Sequence, residues 1–270
     1  MYNKGVIKKG QEKKRKELKK LNICIFDTET TSLDKPLCYN IGYVIIDTDT
    51  RSELVKRDFV VEQVWHNLPL FTSAYYADKR PLYISAMRKR EAVLDKYGYI
   101  LRQMHSDFKK FKVHHTYAYN SSFDDNVFEY NCDWYKCNNP FDTKEIHDIR
   151  GYAIAFLIDN DYKKFCDDNG FYTESGNYST TAEIMYRYIT NNTLFVEEHT
   201  ALSDAEIEKE ILLACLDKGA DITKDYPCPR SVAKPITKKF RVVKDNVVEY
   251  ETDCSSILYQ KAKQTIRLKS

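Results

Sequence analysis

Glycine and proline are scarce in this 270-residue chain, eight and seven residues, and tryptophan occurs only twice. No apolar run approaches the length of a membrane span, which excludes a bilayer-crossing helix. The first basic residues are followed by more lysine and not by the apolar stretch of a signal peptide, so a cytoplasmic location is expected. Eight cysteines in a chain this size do not make a disulfide scaffold. Cys24, Cys166 and Cys215 lie within apolar patterns and read as small buried hydrophobes. Cys132-x4-Cys137 with His147 has poor zinc spacing and no evident fourth ligand. A formal net charge of +2 removes any general argument from polycation character. Basic charge is instead concentrated at the start, where nine of the first twenty residues are Lys or Arg. That lead, residues 1–20, reads as a solubilising tail with a secondary chance of phosphate contact.

What is present is a set of three short acidic motifs spread over about 180 residues, each at the end of its element. Phe26-Asp27-Thr28-Glu29-Thr30-Thr31 closes an apolar run from Leu21. Asn120-Ser121-Ser122-Phe123-Asp124 closes a second run that starts near Val113. His199-Thr200-Ala201-Leu202-Ser203-Asp204 opens a patterned helix. Taken singly, these read as a solvated strand end, a turn and helix cap, and a surface histidine. Together they suit metal-assisted phosphodiester hydrolysis, in which two divalent cations roughly 4 Å apart activate water and stabilise the leaving oxygen. Hard cations such as Mg2+ or Mn2+ want oxygen ligands, which makes Asp27, Glu29, Asp124 and Asp204 the candidate metal-holding set. Alternation along a strand puts Asp27 and Glu29 on one side. His199, titrating near neutral pH, is the candidate general base. Asp125 competes with Asp124 in the second motif, and the Asn-x-x-Phe-Asp spacing selects Asp124.

These residues carry a resemblance. Asp27-Thr28-Glu29, Asn120-x-x-Phe123-Asp124 and His199-x-Ala201-x-x-Asp204 resemble the DEDDh 3′-to-5′ exonucleases, the proofreading-subunit and ribonuclease T-like group of the ribonuclease H-like superfamily. The helix motif around Ser179 to Tyr188 resembles the one such enzymes carry before the third motif. The resemblance spans roughly residues 21–218. It implies that Thr30 and Leu33 lie against the terminal sugar and base, and it adds Asn120 as a substrate contact. The family often has glycine where this chain has Ser32, so the local turn there is expected to differ.

The implied fold is an α/β, ribonuclease H-like, mixed five-stranded sheet flanked by helices. Strands are expected near 21–27, 41–47, 54–62 and 113–119. Helices are expected over 84–111, after Asp124, and near 149–168, 180–190 and 203–217. Either Thr200 or Ser203 caps the last of these. The exonuclease domain covers 21–218, and a C-terminal extension over 219–270 contributes a hairpin (Phe240–Val243 with Val247–Tyr250) and a helix from Ser255 to Arg267. The stretch from Lys79 to His115 mixes basic and aromatic residues. Such stretches hold single strands, and equally often are solvated helix faces. The expected activity is 3′-to-5′ hydrolysis of single-stranded nucleic acid, DNA slightly favoured, with two Mg2+ or Mn2+ ions. Two alternatives remain open here, a ribonuclease that trims short RNA or RNA 3′ tails and a binding module of the same fold with little catalysis. The partner is a DNA or RNA 3′ end and no membrane, with a homodimer or a polymerase-associated partner left open.

Overall fold

Strand β2 (Cys38–Asp47) is buried along all ten of its residues. Only a strand with both sheet faces covered has that pattern, and it fits the unclean alternation of the sequence there. The computed structural model describes residues 21–141, 145–234, 238–244 and 247–254. Around β2 lie β1 (Asn22–Thr30), β3 (Glu53–Val61), β4 (Val93–Asp95), β5 (Val113–Ala118) and β6 (Ile146–Asp148), in the order β4-β3-β2-β1-β5-β6. β1, β2 and β3 are antiparallel neighbours. β4, β5 and β6 join in parallel. The sheet is mixed, as expected, but has six strands and not five. The sixth is β4, three residues paired to the end of β3 through Phe59, Val60 and Val61.

That strand also corrects the single helix expected over 84–111. The segment divides into α3 (Arg80–Lys89), β4, and α4 (Tyr97–Lys110), preceded by the short α1 (Glu62–Trp65) and α2 (Leu68–Thr72). Helix α3 ends because Arg90 turns left-handed, at φ 64°, with its N–H on the carbonyls of Ala86 and Met87. Glycine usually marks such a cap, and its absence hid the break. Helix α5 (Ser122–Tyr135) follows β5. The helix expected over 149–168 is two, α6 (Ile149–Phe156) and α7 (Asn160–Asn169). The Asp159 carboxylate restarts the chain by accepting the N–H groups of Asp161 and Tyr162. Helix α8 (Ala182–Thr190) is capped by Thr181. Helix α9 (Ala201–Asp217) begins at Thr200, so Asp204 lies inside its first turn and Ser203 is not its cap.

Two cores result, one on each sheet face. One gathers Phe26, Tyr39, Tyr43, Ile100, Met104, Val127 and Phe128 under α4 and α5. The other gathers Ile23, Ile25, Tyr152, Met185, Ile207 and Ile211 under α6, α8 and α9. Beyond α9, residues 219–234 run back over this second face. Tyr117 and Tyr152 donate their hydroxyls to the carbonyls of Ile222 and Lys224, and Val232 bridges Tyr178. β7 (Lys238–Lys244) and β8 (Val247–Cys254) pair antiparallel at the expected hairpin. The basic lead and the expected C-terminal helix lie outside the described residues. Among the described residues no helix is long and apolar enough to cross a membrane.

One contact fixes the placement of α9. Gly42 of β2 lies under the first residues of the helix, and a Cβ there would sit 2.1 Å from the Leu202 nitrogen and 2.3 Å from the Ala201 carbonyl carbon. Both obstacles are backbone, so no side-chain rotation relieves them. Gly42→Ala is expected to cost at least about 2 kcal/mol by overpacking. Urea unfolding checks this; a change inside about 0.5 kcal/mol, the scale of neutral surface substitutions, would mean that α9 is free to lift.

Candidate active site

Strand β1 and the first turn of α9 meet at Gly42. Asp27 is the register partner of Gly42, so the residue that lets the helix descend is directly beside the first carboxylate. A register shift between Glu29 and Thr30 ends the regular pairing just beyond, a usual place for irregularity beside a site. Carboxylate oxygens of Asp27, Glu29 and Asp204 lie within 4.8 Å of one another. Asp124 enters from the start of α5, 1% exposed, and accepts a 2.7 Å hydrogen bond from the Thr28 hydroxyl. Its rival Asp125 is exposed. Tyr39 reaches the Glu29 carboxylate at 3.4 Å.

A fifth acid lies here that sequence reasoning passed over. Glu208 is 3% exposed and accepts the Tyr119 N–H at 3.2 Å. The signal for it was available, since i and i+4 share a helix face and Glu208 follows Asp204 by four.

Burial is the largest cause of the perturbed acidities, and the neighbouring carboxylates add to it. The pKa of Asp204 is pushed up to about 9 by burial and then by Glu197 and Glu29. Glu29 is raised to about 8 by burial, against the Tyr39 hydrogen bond. Asp124 rises to about 7 by burial, held down by Thr28. Asp27 and Glu208 are raised well above the ordinary carboxylate range, by burial first and then by Asp124. Concentrated negative charge of this kind calls for a cation.

A divalent cation fits the residues present. Asp204 Oδ1 is buried and has no hydrogen-bond partner among the described residues, beside two further hard oxygen donors. Asp27, Glu29 and Asp204 would hold the ion, with Asp124 next to them. Glu183, Glu197 and His199 form a second such cluster. There, however, Arg187 pairs with Glu183 at 2.6 Å and the Glu197 N–H donates to the same carboxylate.

His199 stands at the rim with φ 57°, a left-handed conformation uncommon outside glycine and typical of constrained sites. Its Nδ1 is 4.0 Å from Asp204 Oδ2 and 3.8 Å from Glu197 Oε2. Burial, then Lys79, lowers its pKa, which favours the neutral imidazole. Tyr76 stacks on the imidazole at 4.2 Å between centroids and 12° between planes. Nothing in the sequence pointed to Tyr76, which comes from the irregular segment after α2. Among the residues expected to touch substrate, Leu33 is 82% exposed and Thr30 bonds the Ser32 carbonyl. Asn120 is exposed, left-handed at φ 59°, with its N–H on Asp148.

No protein-family model matches the chain, and no curated protein matches it. Solved structures do. The nuclease domain of 3′hExo, a DEDDh family member bound to rAMP, aligns with TM-score 0.52 and 14% identity over 75% of this chain and 94% of that one. A full-length 3′-exonuclease aligns with TM-score 0.51 and 16% identity, over 81% and 72%. A 3′-exonuclease structure of 3′-end-specific recognition of histone mRNA stem-loop gives TM-score 0.53 and 14% identity, over 93% and 78%. The fold is that of a DEDDh exonuclease domain. In this chain the four carboxylates arrive from β1, α5 and α9, and His199 from the residues just before α9.

The raised acidities set a pH-dependent stability with a definite sign. An unfolded chain releases these protons near pH 4, whereas the folded site holds that of Asp204 up to about pH 9. The folded state therefore binds more protons across this window, and the cation-free protein loses stability as pH rises through it. Thermal melts in chelator are expected to fall from pH 5 to pH 8. Mg2+ or Mn2+ at a hundred times its dissociation constant is expected to restore about 2.7 kcal/mol, roughly 5–10 °C, at pH 8 and much less at pH 5. An equal cation effect at both pH values would contradict a carboxylate metal site.

Proposed function

We propose that this protein is a metal-dependent 3′-to-5′ exonuclease that hydrolyses single-stranded nucleic acid to nucleoside 5′-monophosphates. The observation that carries the reading is the buried, unpartnered Asp204 Oδ1 set against Asp27 and Glu29, with a neutral histidine 4.0 Å from the same carboxylate. Asp27, Glu29, Asp124 and Asp204 would hold two Mg2+ or Mn2+ ions, which would supply the positive charge that offsets the charge developing on the phosphate.

The chain's own groups do the rest. His199, kept neutral by its surroundings, takes the proton from the attacking water. Thr28 fixes the Asp124 carboxylate by its hydrogen bond. Tyr76 holds the plane of the imidazole by stacking, which makes it a positioning residue. Leu33, which is exposed, meets the terminal base, and Thr30 and Asn120 lie beside the terminal nucleotide. Two of the similar structures carry RNA ligands by name, rAMP and a histone mRNA stem-loop. RNA therefore stands level with DNA as the substrate, and trimming of RNA 3′ tails is the second reading.

Paired 5′-labelled DNA and RNA strands of equal sequence, followed in Mg2+, in Mn2+ and in chelator, test the proposal. A metal-dependent ladder shortening from the 3′ end is expected, abolished in folded Asp27→Ala protein. No ladder on either strand would move the reading to a binding module. His199→Ala is expected to lower kcat by about 100-fold or more with KM little changed. Were KM alone to rise, His199 would be a substrate contact and not the base. Tyr76→Ala is expected to lower kcat about 2- to 10-fold, the worth of one aromatic contact, with Tyr76→Phe restoring it. A Phe variant as slow as Ala would assign the effect to the hydroxyl.

A further inference from the structure

A groove of roughly 830 Å3 runs along the outer side of α4, between that helix and residues 136–140 after α5. At Gly98, which lines it, an added Cβ would meet Cys137 at an ordinary contact distance of 3.7 Å. Arg102, His105 and Lys109 line one wall and Lys136 the other, and no Asp or Glu lines either wall among the described residues. The spacing of three and four residues sets Arg102, His105 and Lys109 in one row along the helix.

Among the described residues none of the three pairs with a carboxylate, in contrast to Lys164 with Asp168 and Lys234 with Asp167. In the groove, Lys136 alone has such a partner, Asp133 at 2.8 Å, while the Arg102 guanidinium lies 4.0 Å over the Tyr99 ring. Tyr99 and Trp134 are 54% and 59% exposed on the flanking helices. Arg102 and Lys109 in a row with His105 between them, and exposed aromatic side chains on the flanking helices, match what a single strand presents, a line of phosphates with bases that stack. A groove that only solvated its charges would need no such alignment and would tolerate carboxylates among them.

We infer that this groove is an exosite for the phosphodiester backbone of the substrate strand, upstream of the 3′ end being cut. The inference rests on the exonuclease reading for what is cut, and on the groove alone for what is held. Asp124 and Lys136 bound the same helical segment, twelve residues apart, which is about 18 Å at 1.5 Å per residue. A strand of many nucleotides reaches from the metal site to the groove, and a dinucleotide does not. Affinity thus grows with substrate length, while the chemical step is independent of the groove.

The test uses the full chain carrying Arg102→Glu and Lys109→Glu, both distant from the carboxylates. Anisotropy with a labelled 20-nucleotide strand is measured in the Asp27→Asn background, over a salt series. Binding of the long strand is expected to weaken about tenfold or more, and the slope of log affinity against log salt to shrink by about 1.4 for two lost phosphate contacts. With Asp27 intact, KM for the 20-mer is expected to rise while kcat, and cleavage of a dinucleotide, stay unchanged. Arg102→Gln with Lys109→Gln gives a milder version should charge reversal impair folding. Unchanged affinity and salt slope would overturn the exosite and leave the exonuclease standing. Equal loss for the long and short substrates would overturn it too, because the damage would lie at the metal site. Groove-dependent binding without cleavage by the unaltered chain would keep the exosite and remove the exonuclease.

Discussion

The seating of α9 on β2 is the contact from which the rest of the site follows. Gly42 provides the space, and Asn40 provides the lock. Its Oδ1 accepts the Ala201 N–H at 2.8 Å, an otherwise orphaned donor at the helix start. Its Nδ2 donates to Asp58 at 2.6 Å and to the Phe59 carbonyl at 2.9 Å. One buried amide therefore joins β2, β3 and α9. With the helix start fixed, Asp204 has nowhere to go but over Asp27. One turn on, Glu208 ties the same helix to Tyr119 at the end of β5. The junction of β5 with α5, which carries Asp124, is thereby placed as well.

The price of this arrangement is electrostatic. Four buried carboxylates and the half-buried Asp27 converge, and Lys79 lowers the pKa of one of them, Glu29. Desolvation without pairing is among the costliest states of an ionised group. On the exonuclease reading, bound cations would offset this charge, while the surrounding scaffold is closely packed on both sheet faces.

A chain with so little glycine and proline needs other means of fastening its connections, and tyrosine supplies them. Tyr119 donates to the Thr180 carbonyl at 2.6 Å and Tyr162 to that of Ser179 at 2.7 Å, just before α8. Tyr117 and Tyr152 do the same for residues 222–224. Each ring adds apolar area to the core while its hydroxyl satisfies a loop carbonyl that burial would otherwise leave unpaired. The abundance of tyrosine is thus substantially structural. Tyr76 and Tyr99 differ because one ring lies on a histidine and the other under a guanidinium.

By itself the sequence determined the strand-helix order, the burial of the central strand and the positions of four carboxylates and a histidine at element ends. These are local matters, since a run of apolar residues and an acidic residue at its end are both visible within a few positions. Three things needed tertiary structure. The edge strand β4 has three residues, too few for a period, and its preceding helix stops at a left-handed arginine without a glycine to mark it. Tyr76 acquires its role only through a neighbour 123 positions away, at His199. Gly42 looks in the sequence like a weak point in a strand. Only the descent of α9 onto it shows why no larger residue fits, because a backbone-to-backbone contact leaves no pattern in the side chains.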